Sequence, residues 1–434
     1  MNVVYDISVL SSVYNSNGHR TGIVRAITNI ALELSMRKDI KLYFSATRNI
    51  ECMRNCFDFV KSTKAFNAVD LFIPRKVKFC FSISRKLSML QKSMGLLGRS
   101  ILLNKAFLFI KHRILIFCEK IILSDQKYYN QSINNINIYQ SSFDSLSQDK
   151  LIPGSKKKFV IIYDLSPVLF PQFYDEHAVD GMKNIYDSID KETWVLCISE
   201  ATRKDLIAYN GAEIDPSKVC VTYLAASDFF YQSNDTLYNR SVLNKYCIPN
   251  KPYVLALSIL HPRKNMLGVI EAFFELIDKK GISDLHLVMV GPSGSDTLNI
   301  LDTISKNPRL KERVILTGFI QDHELAAVYS EANMFVYPSF YEGFGLPVIE
   351  AMQCGVPVIT SNNSSLPEVV GDAAILVDPY SNTEIADAMY QIYADEQLYV
   401  DMSIKGLAHS KKFSWERCVD DIVGSYRKSM ADEN

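Results

Sequence analysis

The segment Tyr337–Ser361, YPSFYEGFGLPVIEAMQCGVPVITS, constrains the fold more than any other part of the chain. Two short apolar runs, MFVYPS near its start and VPVITS at its end, read as buried parallel strands. Between them, Pro347 suits a first helical position and Gly355 the residue just past a helix, which predicts a helix over Pro347–Cys354. A strand, glycine loop, helix and strand in that order belong to a doubly wound sheet, whose ligands bind outside the carboxyl ends of the strands. Free N–H groups at the helix start suit an anion such as a diphosphate. Glu342 stands just before Gly343-Phe344-Gly345, and Glu350 lies inside the helix, with seven residues between the two. Carboxylates beside a phosphate site repel it unless the phosphates carry a sugar at one end and a ribose at the other. Each glutamate then accepts hydrogen bonds from neutral hydroxyls.

These residues resemble the E-x7-E signature of retaining glycosyltransferases with the GT-B fold, specifically family 4, the glycosyl transferases group 1, and within it bacterial mannosyltransferases. The resemblance implies an α/β fold of two Rossmann-like doubly wound domains facing a cleft, with a C-terminal helix crossing back to the first. The expected division is residues 1–245 for an acceptor-binding domain, 246–412 for a nucleotide-sugar-binding domain and 413–434 for the returning helix. The expected strands of the first half are Val3–Val9, Leu42–Ser45, Ile136–Gln140, Phe159–Tyr163 and Val219–Tyr223. The stretch from Ser45 to about Asn137 is not otherwise placed.

In the second half, Tyr253–Ser258 reads as a strand running into His261, Arg263, Lys264 and Asn265, and apolar residues at Leu267, Ile270, Phe273, Phe274 and Ile277 show a helical period. The turn resembles the family's R-K-N segment, which implies that Arg263 and Lys264 neutralise the donor's phosphates. Gly291, in VGPSGSD, resembles the donor-side loop, and Phe319 follows a strand VILTG that resembles the wall beside the nucleotide base. The same resemblance gives Gly343, Phe344, Gly345 and Leu346 to the donor site, Glu342 to the donor sugar's hydroxyls and Glu350 to the ribose. Gly22 resembles part of the glycine-rich first loop at the cleft. In the first half, IIYDLSPVLFP resembles a His-Asp-Leu-x-Pro turn with Tyr163 in place of the histidine. Its phenol can donate a hydrogen bond but is no base near neutral pH. Asp164 either orients Tyr163 or contacts an acceptor hydroxyl, or simply caps the following turn. Glu200 lies in a segment resembling the family's Ser-Glu-x-x-x-x-Asp-Leu, which implies that it also faces the cleft, as a weaker candidate than Glu342 and Glu350.

Composition fits this frame. At 434 residues, 48% hydrophobic and 22% charged, the chain is globular and long enough for two cores. Its nine scattered cysteines lack zinc-finger spacing and read as thiols of a reducing compartment. No secretory signal is visible in MNVVYDISVL, so a cytoplasmic location is expected. No Asp-x-Asp loop is present, so a nucleotide-sugar substrate is expected with no metal or other cofactor.

The formal net charge is −1, but Arg75 to Lys120 holds eleven Lys/Arg against the single acid Glu119, a net +10 that leaves −11 elsewhere. Apolar residues interleave with these bases, and the insertion is taken as about 75–126. Such a segment lies on an anionic membrane face or packs its apolar stripes on the domain and leaves the bases solvated. Nothing in it has the signature of a nucleic-acid binder. The expected activity is transfer of a hexose from GDP-mannose, or a UDP-sugar, to a lipid-linked oligosaccharide in O-antigen or capsule synthesis at the inner face of the plasma membrane. The alternatives are a nucleotide-sugar epimerase of the same fold and a noncatalytic membrane-associated scaffold.

Overall fold

The computed structural model describes residues 1–11, 22–46, 49–66, 68–71, 77–96, 105, 107–118, 120, 136–146 and 155–432. Two parallel sheets dominate it. The first has seven strands in the order β3-β2-β1-β4-β5-β6-β7: Asn2–Asp6 (β1), Lys41–Ser45 (β2), Asp70–Leu71 (β3), Ile138–Ser141 (β4), Lys157–Ile162 (β5), Trp194–Cys197 (β6) and Val219–Val221 (β7). The second has six, in the order β10-β9-β8-β11-β12-β13: Tyr253–Leu257 (β8), His286–Val290 (β9), Val314–Gly318 (β10), Met334–Tyr337 (β11), Val358–Ser361 (β12) and Ala374–Val377 (β13). Both reverse direction between their first and fourth strands, the place where doubly wound sheets take ligands. The central strands are buried end to end, as sheets covered by helices on both faces require.

The expected strand Val3–Val9 stops at Asp6. There the Asp6 carboxylate accepts the Ser8 N–H at 2.9 Å and the Ser45 hydroxyl at 3.2 Å, which turns the chain into a short 3-10 segment, Ser8–Leu10. The expected helix Pro347–Cys354 is Leu346–Gln353, with Pro347 in its first turn. The last helix, Trp415–Ala431, lies against the first sheet's half. Thr222 donates to the Cys418 carbonyl at 2.9 Å, Tyr426 bonds Gln140, and Arg37 pairs with Asp420.

The stretch the sequence left unplaced contains a helix, Ile50–Ser62, capped by Asn49, whose side chain accepts the Cys52 N–H at 2.9 Å. A second helix, Val77–Leu96, and a helical stretch over 107–118 pack on it through Cys80, Phe81, Ile114 and Cys118. Lys111 pairs with Glu51 at 2.7 Å, and Arg85 with Asp58. Phe79, Met89, Leu90, Phe109, Ile110 and Phe117 remain exposed, as do Lys86, Lys105, Arg113 and Lys120. In the described part of the basic insertion one set of apolar residues joins a buried cluster and another faces out among bases. The other expected parts of the insertion, and the first loop from Ser11 to Thr21 beyond its first residue, lie outside the described residues. Seven of the nine cysteines are buried.

Candidate functional site

Four strand ends of the second sheet converge on a cavity of about 410 Å³. After β8 come Arg263 and Lys264, in a 3-10 turn that ends at Asn265, a residue held in the left-handed conformation at φ 54°. After β9 and β10 come Gly291 and Phe319, and after β11 come Glu342 and the glycine loop. Gly22, Arg25, Tyr163 and Asp164 line the cavity from the first sheet's half.

The sequence-expected cations and carboxylate form one cluster. Lys264 Nζ lies 2.6 Å from Glu342 Oε1, and Arg263 Nη1 lies 3.0 Å from Oε2. Tyr337 donates its hydroxyl to Oε1 at 2.8 Å and accepts from Lys264 at 2.6 Å, while Arg263 also donates to the Tyr341 carbonyl. Burial alone raises a carboxyl's pKa, but here Arg263, Lys264 and the Lys264 hydrogen bond outweigh it and hold Glu342 down at about 2. Lys264 moves to about 8, because burial and the neighbouring guanidinium outweigh Glu342. At neutral pH the cluster carries two positive charges and one negative, and it sits beside the start of the helix Leu346–Gln353. Its net charge and the helix N–H groups both favour an anion.

The loop between cluster and helix is built for close approach. A methyl group on Gly343 would sit 1.8 Å from the Tyr163 carbonyl oxygen and 2.8 Å from the Asp164 side chain, so only glycine lets the two halves meet there. Gly345 has φ 101°, a left-handed backbone that starts the helix. Phe344 turns its ring inward, 5.6 Å from Phe413 and 6.2 Å from Tyr223. Further contacts cross the cleft. Tyr341 donates to Asp205 at 2.6 Å, and Thr202 to the Gly343 carbonyl at 3.3 Å. Glu368 accepts the N–H groups of Glu200 and Ala201, at 3.0 and 2.9 Å, at the start of the helix Glu200–Asn210.

Two expected site residues stand apart from this cluster. Tyr163 does not offer its phenol to the cleft: the hydroxyl is buried without a hydrogen-bond partner, and the ring belongs to the first core, 5.8 Å from Phe143. Burial, with Tyr5 and Cys418 as electrostatic neighbours, raises its pKa well above the ordinary value. What Tyr163, the residue just past β5, presents to the glycine loop is its carbonyl, while its ring packs in the core. Glu350, expected to reach a ribose, is only 1% exposed and does not line the cavity. Its Oε1 lies 2.9 Å from Arg25 Nη1, and its Oε2 accepts the Tyr329 hydroxyl at 3.3 Å.

Asp164 caps the next turn, with Oδ1 accepting from the Ser166 N–H at 2.9 Å and hydroxyl at 2.7 Å. It also borders both the first cavity and a second one of about 730 Å³, lined by Tyr174, His177, Met182 and Asn184 among others. The two cavities share Ile23, Tyr163, Asp164 and Arg263. Sequence reasoning passed over Arg25, Glu368 and this second cavity. For Arg25 a signal existed: a cation in the first turn of a helix opposes the helix dipole, which points to a partner elsewhere.

Residues 244–408 match the family described as Glycosyl transferases group 1. The chain is 33% identical over 267 residues to O-antigen chain mannosyltransferase B of Escherichia coli, covering 61% of this chain and 68% of that one. It is 28% identical over 262 residues to the serotype-specific mannosyltransferase WbdA of Escherichia coli, spanning only 32% of that longer protein. Among solved structures, Anabaena HepE in complex with UDP and glucose aligns with a TM-score of 0.67 at 15% identity, over 99% of this chain and 100% of that one. Sucrose-phosphate synthase from Thermosynechococcus elongatus aligns at 0.63 and 17%, over the full length of both. With two facing doubly wound halves and this match, the chain belongs to the glycosyl transferases group 1 family and is a glycosyltransferase of the GT-B fold.

Proposed function

We propose that this glycosyltransferase moves a hexose, mannose before others, from a nucleotide sugar to a lipid-linked oligosaccharide in bacterial surface polysaccharide synthesis, with retention at the anomeric carbon. The observation that carries this reading is the Arg263–Lys264–Glu342 cluster at the cavity wall beside a helix start. A net positive site with an adjoining carboxylate suits a diphosphate that bears a neutral sugar. The names of the E. coli relatives favour mannose, and with it GDP-mannose over UDP-sugars, as the donor. The HepE complexes hold UDP with glucose and UDP-glucose, which supports a nucleotide-sugar donor in this fold. Transferases among the relatives favour transfer over the epimerase and scaffold readings.

In the proposed reaction the bond from the sugar's anomeric carbon to the leaving phosphate breaks. The acceptor hydroxyl attacks that carbon from the same face, and its proton passes to the departing phosphate oxygen. Arg263, Lys264 and the helix start stabilise the charge that develops on the phosphate, so the step is assigned no metal ion. Glu342 steadies the cationic sugar and holds its hydroxyls. The second cavity, joined to the first at Asp164, takes the acceptor's terminal sugar, which its mix of aromatic, neutral polar and carboxylate side chains suits. No helix among the described residues is long and apolar enough to cross a membrane. The exposed Phe79, Phe109 and Phe117, set among Lys86, Lys105 and Arg113, hold the enzyme on the anionic inner face of the plasma membrane.

Calorimetric titration with GDP, UDP, ADP, dTDP and their sugar conjugates tests the donor. One nucleotide should bind to the unaltered protein and fail to bind Lys264→Ala, and no binding by any of them sinks the reading. NMR of the product's anomeric centre tests retention. Sedimentation with phosphatidylglycerol vesicles tests the membrane face: neutralising Lys86, Lys105 and Arg113 should release the protein.

A further inference from the structure

The turn after β5 places three linked polar side chains on the wall of the second cavity. Asp164 Oδ1 accepts both the N–H and the hydroxyl of Ser166, at 2.9 and 2.7 Å. The Ser166 oxygen in turn lies 2.6 Å from the Tyr174 hydroxyl. Tyr174 stands between the 3-10 turn Pro171–Phe173 and the helix Glu176–Tyr186, and it lines the cavity together with Ser166 and Asp164. Its ring is held from the second half of the molecule, 5.4 Å from that of His261, whose Nδ1 accepts the Arg263 N–H at 3.3 Å. The phenol is thus fixed at both ends, by a serine of one half and a histidine of the other.

Counting protons fixes the direction of each bond. A serine hydroxyl carries one proton, and Ser166 gives it to the Asp164 carboxylate. The Ser166 oxygen can then only accept, so the phenol proton of Tyr174 is committed to it. Burial, reinforced by Asp164 and Glu342 against the nearby Arg263 guanidinium, raises the phenol's pKa and keeps that proton in place at neutral pH. What Tyr174 offers the cavity is therefore an oxygen that accepts a hydrogen bond and cannot donate one. Such an oxygen acts as a filter: it pairs with a ligand hydroxyl and is left unpaired by a ligand without one. Bracing of the loop accounts for the bond to Ser166. It gives no reason for Tyr174 to line the cavity beside Asp164 and Arg263, which both cavities share.

We propose that Tyr174 is a specificity-determining residue of the acceptor site, its oxygen accepting a hydrogen bond from one hydroxyl of the acceptor's terminal sugar and so fixing how that sugar sits. This rests on the reading of the second cavity as the acceptor site. Asp164 and Ser166 act through Tyr174 as positioning residues, because they hold its proton and with it the polarity of the contact. His261 sets the ring from the other half, so the contact takes its shape only with the two halves as close as they are here.

The test is the kinetics of transfer to octyl α-mannoside, with its monodeoxy and deoxyfluoro analogues as competitive inhibitors. Tyr174→Phe should raise the acceptor's KM about 5- to 10-fold, the size of one hydrogen bond between neutral groups, and leave the donor's KM unchanged. One deoxy analogue should bind the two proteins equally, because its missing hydroxyl and the phenol oxygen form a single interaction. Ser166→Ala frees the phenol proton to turn toward the ligand. The deoxyfluoro analogue at that same position accepts but does not donate, so it should bind closer to the parent sugar in Ser166→Ala than in the unaltered protein. An unchanged acceptor KM in Tyr174→Phe overturns the proposal, and so does a loss shared equally by every deoxy analogue. An equal rise in the donor's KM overturns it too, since the phenol would then only brace the loop. A deoxyfluoro analogue bound no better in Ser166→Ala overturns the proton assignment and the proposal with it. Gly181→Trp separates this from the reading beneath it: Gly181 lines the second cavity with open space at its Cβ, so an unchanged acceptor KM in that variant overturns the acceptor site itself.

Discussion

Glu342 and Glu350 flank one glycine loop, are both nearly inaccessible to solvent and are both ion-paired, yet their environments push them in opposite directions. Glu342 meets two cations from its own half of the molecule, and these hold its pKa at about 2 against burial. Glu350 meets one cation from the other half, with Asp322 nearby, and burial wins: its pKa is raised. Glu342 is therefore a fixed charge of the second half alone, whereas Glu350 depends on closure of the cleft. A sequence motif that treats the two as equivalent hides this difference, because the partner of one lies about eighty residues upstream and that of the other more than three hundred.

The largest expected effect breaks the Glu342 side of the comparison. Glu342→Ala leaves Arg263 and Lys264 as buried charges without their counter-ion, which should cost about 3–5 kcal/mol of stability. Denaturant titration measures that loss, and transfer assays should show activity near background. Next comes the meeting point of the halves. Gly343→Ala forces a methyl group against the Tyr163 carbonyl, so the cleft cannot close as it does here. A misplacement of this size should lower the transfer rate about 100-fold, with nucleotide binding reduced less than turnover. A similar loss in both would show that the loop serves donor binding alone.

The pH dependence sharpens the contrast further. For Glu342, the folded pKa lies below the ordinary glutamate value of 4.5, so its stabilisation is full above that pH and drains away as pH falls toward about 2. Glu350 has the opposite sign: its raised pKa favours the folded state in acid and loses that contribution as pH rises through the folded value. Stability measured by denaturant titration at several pH values should therefore fall more steeply between pH 4.5 and about 2 in the unaltered protein than in Glu342→Gln. Lys264, lowered to about 8, loses its charge above that pH in the folded protein, while the unfolded chain keeps it to about 10.5. The unfolded chain binds more protons in between, so this group's contribution to stability rises with pH from about 8 to 10.5, while diphosphate binding falls over the same rise. Calorimetry at pH 7 and pH 9 reads the second effect. The smallest effect belongs to Tyr163→Phe, which removes a buried hydroxyl that has no partner. Transfer should be unchanged, and thermal stability equal or slightly higher.

Most of the second half was legible because its signals are local. Strands β8 to β12, the Arg263-Lys264 turn and the helix after Gly345 each fit within a run of a few residues bounded by Gly, Pro or a capping side chain. The first half was harder for reasons visible in the structure. β1 ends early because the Asp6 side chain competes for backbone N–H groups, a contest that periodicity does not register. β3 has two residues and too little pattern to show. The helices of the basic insertion are apolar on more than one face, so the sequence could not tell which stripe joins the core.

The sequence by itself determined the doubly wound pattern, the order of the glycine loop and its helix, and the place of Arg263 and Lys264 at a strand end, because short-range sterics and hydrophobic periodicity encode these directly. Only the tertiary structure decided that Lys264, Arg263 and Glu342 form a single charge cluster, that Tyr163 offers a carbonyl where a side chain was expected, and that Arg25 covers Glu350. Each of those depends on where two distant backbones approach within a few ångströms. Burial then converts that distance into a pKa, a pairing and a role, and no spacing along the chain carries the information.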